Sequence, residues 1–68
     1  MIAFEVNDMS CGHCVKAITE AVKAADSAAQ VQIDLDTHRV RIEPAVASAD
    51  TLAEAIREAG YTPVAVAA

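Results

Sequence analysis

Basic residues are scarce in this sequence: five Lys and Arg face ten Asp and Glu, for a formal net charge of −5. That balance opposes binding to nucleic-acid phosphates or anionic membrane surfaces; a basic protein surface would suit it better, although dispersed surface charge also serves solubility with no partner. Long apolar runs are missing too, so no stretch approaches a membrane span. The opening Met1-Ile2-Ala3-Phe4-Glu5 lacks the basic region, apolar segment and cleavage site of a secretory signal. We therefore expect a cytoplasmic protein with no direct membrane insertion. Large apolar side chains are few, because the 54% hydrophobic fraction includes sixteen alanines. Phe4, Val6, Ile18, Val22, Val31, Ile33, Val40, Ile42, Leu52, Ile56, Val64 and Val66 suffice for one layer between a sheet and two helices. That leaves no room for a catalytic cleft, and an enzyme is not expected. Neither linker nor low-complexity segment interrupts residues 1–68, which read as one domain.

Cysteine occurs twice, within Met9-Ser10-Cys11-Gly12-His13-Cys14. In a reducing cytosol such a pair points to metal binding or transient redox chemistry rather than to a structural disulfide, which would close only a very short loop. A structural zinc site normally takes four protein ligands, yet there is no second Cys pair, and His13 and His38 lie far apart. Covalent haem attachment needs His directly after the second Cys, where Val15 stands. Cys11-Gly12-His13-Cys14 looks like the active-site tetrapeptide of disulfide isomerases. A thioredoxin-type domain, however, takes about a hundred residues, and this chain has 68. The favoured reading is a two-thiolate site for a soft ion, for which thiolates select Cu(I) over hard cations.

The pattern along the chain places that pair. Phe4 and Val6 alternate with Glu5, predicting a first strand over about Ile2 to Asn7, and Asp8, Ser10 and Gly12 mark a loop. Val15, Ile18, Val22 and Ala25 recur at helical spacing and predict a helix from about Gly12 to Ala25. Val31, Ile33 and Leu35, then Val40 and Ile42, alternate with polar residues across the turn Asp36-Thr37-His38, which predicts a hairpin. Ser48 can cap a second helix with Asp50 in its first turn, Leu52, Ala55, Ile56 and Ala59 on one face and Gly60 as its stop. A last strand over about Thr62 to Val66 must lie at an edge or pair only beyond Pro63, which cannot donate a ladder hydrogen bond. The order βαββαβ predicts an α+β ferredoxin-like sandwich: a four-stranded antiparallel sheet with two helices on one face.

In this arrangement Cys11 belongs to the loop and Cys14 to the first helical turn, where unpaired N–H groups and the helix dipole favour thiolates. The same groups stabilise the net negative charge of a Cu(I) dithiolate, and two-coordinate Cu(I) stays open to an incoming thiolate. Met9 carries a thioether able to ligate Cu(I), but an apolar residue just before a helix is expected to plug the core under the loop. His13 is expected at the surface, where it can tune the thiolates or donate a ligand in a metal-bridged dimer. His38 is expected to be an ordinary residue of the hairpin turn, unconnected with the site. Tyr61, after the helix stop, reads as a half-buried ring at the core edge.

The residues and element order together resemble the heavy-metal-associated domain family, in the small free-standing form of bacterial copper chaperones. The family motif Met-x-Cys-x-x-Cys, between first strand and first helix, is met by Met9, Cys11 and Cys14; Gly60-Tyr61 matches a pair found after the second helix. Ser48 and the helix end Ala55-Ile56-Arg57-Glu58-Ala59-Gly60 are family-like as well. Two positions depart: Asp8 stands where glycine is common before the motif methionine, and Asp26-Ser27-Ala28-Ala29 lacks the usual glycine. The resemblance implies a cytosolic Cu(I) metallochaperone that passes its ion by ligand exchange to a matching metal-binding domain, such as that of a copper-transporting P-type ATPase. It further implies that Met9 packs under the loop and that Tyr61 shields the metal, its hydroxyl approaching a cysteine sulfur. A mercuric or zinc ion carrier of the same family is an alternative, although the periplasmic mercury carriers have signal peptides not seen here. A small dithiol oxidoreductase is another, and a domain excised from a larger transporter or reductase a third. A monomeric apo form and a metal-bridged homodimer both fit an exposed dithiolate.

Overall fold

Strand β1 (Ile2–Glu5) lies at the centre of the sheet because Phe4 and Ala3 are buried on its two sides. A computed structural model of the chain describes residues 1–9 and 12–66. Helix α1 (Gly12–Ala25) follows, then β2 (Gln30–Asp34), β3 (Arg39–Glu43), α2 (Ala49–Glu58) and β4 (Val64–Val66). The sheet order is β2-β3-β1-β4, with every neighbouring pair antiparallel. This is the ferredoxin-like βαββαβ sandwich expected from the sequence. Register sets the faces: Phe4 opposes Val40, and Ile2 opposes Ile42, on the side that packs with Ile18 and Val22 of α1 and Leu52 and Ile56 of α2. On the opposite side Arg39 stands across from both Glu5 and Asp34, a cross-strand alternation of charge that favours this pairing.

The helix ends are built from local chemistry. Ser48 caps α2, its Oγ accepting the Thr51 N–H at 3.2 Å, and Asp50 sits in the first turn where the dipole favours a carboxylate. At the other end the Gly60 N–H donates to the Arg57 carbonyl at 2.9 Å, and the Tyr61 N–H to the Ile56 carbonyl at 3.3 Å. These are the two bonds of a Schellman stop, and Gly60 supplies the left-handed backbone it needs at φ 98°. Helix α1 ends differently. The Asp26 N–H completes the last turn by donating to the Val22 carbonyl at 2.8 Å. The Asp26 carboxylate, only 3% exposed, accepts the N–H groups of Ala45, Val46 and Ala47 at 2.8, 2.9 and 3.0 Å. These bonds, led by those from Val46 and Ala47, hold its pKa below the ordinary carboxylate value against the opposing effect of burial. One side chain thereby satisfies three donors of the β3–α2 loop.

The structure corrects several details of the sequence reading. β1 ends at Glu5, not Asn7: the Val6 N–H leaves the ladder and donates to the His38 carbonyl at 2.7 Å, while its side chain stays buried. β4 begins at Val64, past the buried Pro63, and occupies the edge that the missing N–H of proline requires. Leu35 falls in the hairpin turn and is exposed, as are Val64 on the edge strand β4, which was expected in the core layer, and Ala25 and Ala59 at the helix ends.

Candidate metal centre

The register places three connections at one end of the sheet. Glu5 pairs with Arg39 and with Val64, and Asp34 pairs with Arg39. The β1–α1 loop, the β2–β3 turn and the α2–β4 loop therefore emerge side by side. The first of these leads into helix α1, whose first turn carries Cys14. It opens with a turn over Asn7 and Asp8, closed by the Met9 N–H donating to the Val6 carbonyl at 3.2 Å. Met9 is fully buried and belongs to the core cluster with Phe4, Val6, Ile18, Val22 and Ile56, as expected of a plug under the loop. Cys11 lies outside the described residues. α1 then starts at Gly12; His13 is exposed, and Cys14 is half-buried against the core.

Cys14 owes this position to helix geometry. Four and eight residues before Ile18 and Val22 on the same helix face, it extends the buried stripe by one turn toward the N-terminus. It also sits where helical N–H groups have no intrahelical acceptor, and the first turn of α1 contains no acidic residue. The dipole there is uncompensated by any carboxylate of that turn, unlike α2 with its Asp50. An anionic sulfur is the group such an end favours. Among the described residues no group of three or more His, Cys, Asp or Glu is disposed to hold a metal ion.

Both neighbouring connections hold the loop. From the α2–β4 side, the Thr62 N–H donates to Asp8 Oδ1 at 3.3 Å, so the residue that replaces the family's common glycine ties two loops together. Tyr61, just before it, is half-buried and packs on the core cluster that contains Met9, the position read from the sequence. From the other side comes a residue the sequence reading placed outside the site. His38 Nδ1 lies 2.9 Å from the Met9 carbonyl oxygen, and the His38 carbonyl accepts from Val6. His38 adopts a left-handed backbone at φ 56°, which turns both groups toward the loop. The expectation that nothing links His38 to the site is thus overturned. Its polarity gave no sign of a partner 29 residues away.

The fold is that of a small ferredoxin-like domain with a half-buried cysteine in the first turn of its first helix. The chain belongs to the heavy-metal-associated domain family, whose sequence model matches residues 3–62. It is 39% identical to the COP-associated protein of Helicobacter felis, covering 88% of this chain and 92% of the relative. Its structure resembles the Cu1, trimeric form of a point mutant of the copper chaperone Atx1 from Synechocystis PCC6803, with TM-score 0.89, 36% identity, and 94% of this chain and 100% of the other covered. It also resembles a gold binding protein, with TM-score 0.90, 30% identity, and 97% and 100% of the two chains covered. No helix among the described residues is long and apolar enough to cross a membrane.

Proposed function

We propose that this chain is a copper chaperone of the Atx1 type, in which Cys11 and Cys14 hold one Cu(I) ion as cargo. The observation that carries this reading is Cys14 in the first turn of a helix without acidic residues there, half-exposed and three residues after Cys11. Similarity to the copper chaperone Atx1 supports copper as the ion. Transfer proceeds by ligand exchange. A thiolate of the recipient adds to the two-coordinate ion, one cysteine sulfur of this chain leaves, and a second recipient thiolate displaces the other. No net redox change occurs; the protons lost by the recipient's thiols end on the released cysteines or in solvent. The recipient in this reading is a metal-binding domain such as that of a copper-transporting P-type ATPase, and residues 1–68 act in the cytoplasm as a single unit without catalysis. His13 beside the ligands and Tyr61 at the adjoining loop are placed around the cargo, and a metal-bridged homodimer is a further form of the loaded state.

Similarity to a gold binding protein supports a site for a soft metal ion. Zinc, which takes four ligands in a structural site, is less well served by a dithiolate alone. The test is an anaerobic Cu(I) titration of the reduced protein against a chromophoric chelator, with a Cys11→Ser, Cys14→Ser double variant alongside. Stoichiometric uptake lost in the variant supports the chaperone; failure of the native protein to compete overturns it and favours the dithiol oxidoreductase or another soft ion, mercuric ion included.

A further inference from the structure

We propose that His38 is a positioning residue for the metal loop: its imidazole holds the Met9 carbonyl, and so presets the backbone at Met9, two positions before Cys11 in sequence. As it concerns cargo binding, this inference rests on the reading of Cys11 and Cys14 as the ligands. Two bonds connect His38 to the loop, its carbonyl accepting the Val6 N–H at 2.7 Å and its ring meeting the Met9 oxygen at 2.9 Å. A carbonyl oxygen has no proton to give, so Nδ1 must carry the hydrogen and the neutral ring is the Nδ1–H tautomer. Protonation at Nε2 leaves that donor in place, and the bond survives in both charge states. The left-handed backbone at φ 56° is uncommon for a residue with a side chain, and it is what lets one residue reach Val6 with its carbonyl and Met9 with its ring. Met9 is then fixed twice, its side chain sealed in the core and its carbonyl caught from the neighbouring turn. A Met9 backbone held before the ion arrives has less conformational entropy to lose on binding, so the brace raises affinity without the imidazole touching the metal.

Two substitutions separate the ring from the backbone. His38→Gly keeps the left-handed turn and removes the donor. His38→Asn tolerates the same backbone and places an amide N–H near the position of Nδ1. In the apo-protein, amide hydrogen exchange at Met9, whose N–H the Val6 carbonyl holds, should accelerate about three- to tenfold in His38→Gly, the loss expected for one neutral hydrogen bond. Exchange in α2 and in the sheet should not follow, and His38→Asn should restore most of the protection. Cu(I) retention against a chelator should weaken by a similar factor in the Gly variant and recover in the Asn variant. Unchanged loop exchange in His38→Gly, acceleration spread evenly over the molecule, or no recovery with Asn would each overturn the proposal. A native protein that takes up no Cu(I) would sink the functional reading alone, because the exchange experiment is metal-free and decides the brace by itself.

Discussion

Replacing Met9 distinguishes a core plug from a metal ligand. Met9 is fully buried beneath the loop, and truncation to Ala leaves a cavity; buried Met→Ala changes of this kind cost about 2–5 kcal/mol. A chain of 68 residues has a total stability of about 3–10 kcal/mol at typical values per residue. Met9→Ala should therefore remove a large share of it, lowering the thermal midpoint by roughly 10 °C or more at about 4–8 °C per kcal/mol, or abolishing the cooperative transition. Met9→Leu conserves volume and apolarity while deleting the sulfur, and should cost less than about 1.5 kcal/mol. Thermal melts of the reduced apo-proteins followed by circular dichroism measure both, and the same samples enter the Cu(I) competition. The Leu variant should melt near the native protein and hold copper as well. A Leu variant that melts normally yet loses about tenfold or more in affinity would make the thioether a ligand, and an Ala variant as stable as the native protein would remove Met9 from the core.

Asp26 should make the fold acid-sensitive. Its folded pKa is depressed by the backbone N–H groups of Val46, Ala47 and Ala45, so its stabilising effect is complete above about pH 4, its unfolded value, and fades as pH falls through the lowered folded value. Asp26→Asn should melt below the native protein at pH 7, the gap narrowing as pH drops below about 4; a gap constant from neutral to strongly acidic pH would refute this. Gly60→Ala should cost about 1–2 kcal/mol from the left-handed backbone alone, since a methyl group there meets no atom within 4 Å, and an unchanged melt would dismiss the Schellman stop. Ser48→Ala should cost about 1 kcal/mol through the lost bond to the Thr51 N–H, read by urea titration; full stability in Ala would show the cap to be idle.

The elements were legible where periodicity and punctuation agree. Gly12 to Ala25 follows from the apolar spacing of α1, and the edge position of β4 from one missing N–H at Pro63. Cys14 in the first turn was legible for the same reason, since the loop residues before it fix where helix can begin. What escaped were contacts whose partners are backbone atoms remote in sequence. Asp26 looked like a turn residue lacking the usual glycine, and its three donors lie about twenty positions later. A signal was present: Ala45-Val46-Ala47 supplies N–H groups but no side-chain acceptor, so a nearby carboxylate had to be sought. Asp8 looked like a departure from family pattern and proved to bridge to Thr62. For His38 the only hint was a non-glycine residue closing a short hairpin, where a left-handed backbone is often required.

The antiparallel register has a practical reach beyond the site. Val66 pairs with Ala3 while Glu5 pairs with Val64, so the start of β1 and the end of β4 lie together at the end of the sheet remote from the β1–α1 loop. Anything joined to either strand end, whether a tag, a surface linker or a tandem copy, departs from the far side of the molecule. Such attachments leave the Cys14-bearing end unobstructed, and several copies strung together would each keep that end exposed without unpairing a strand.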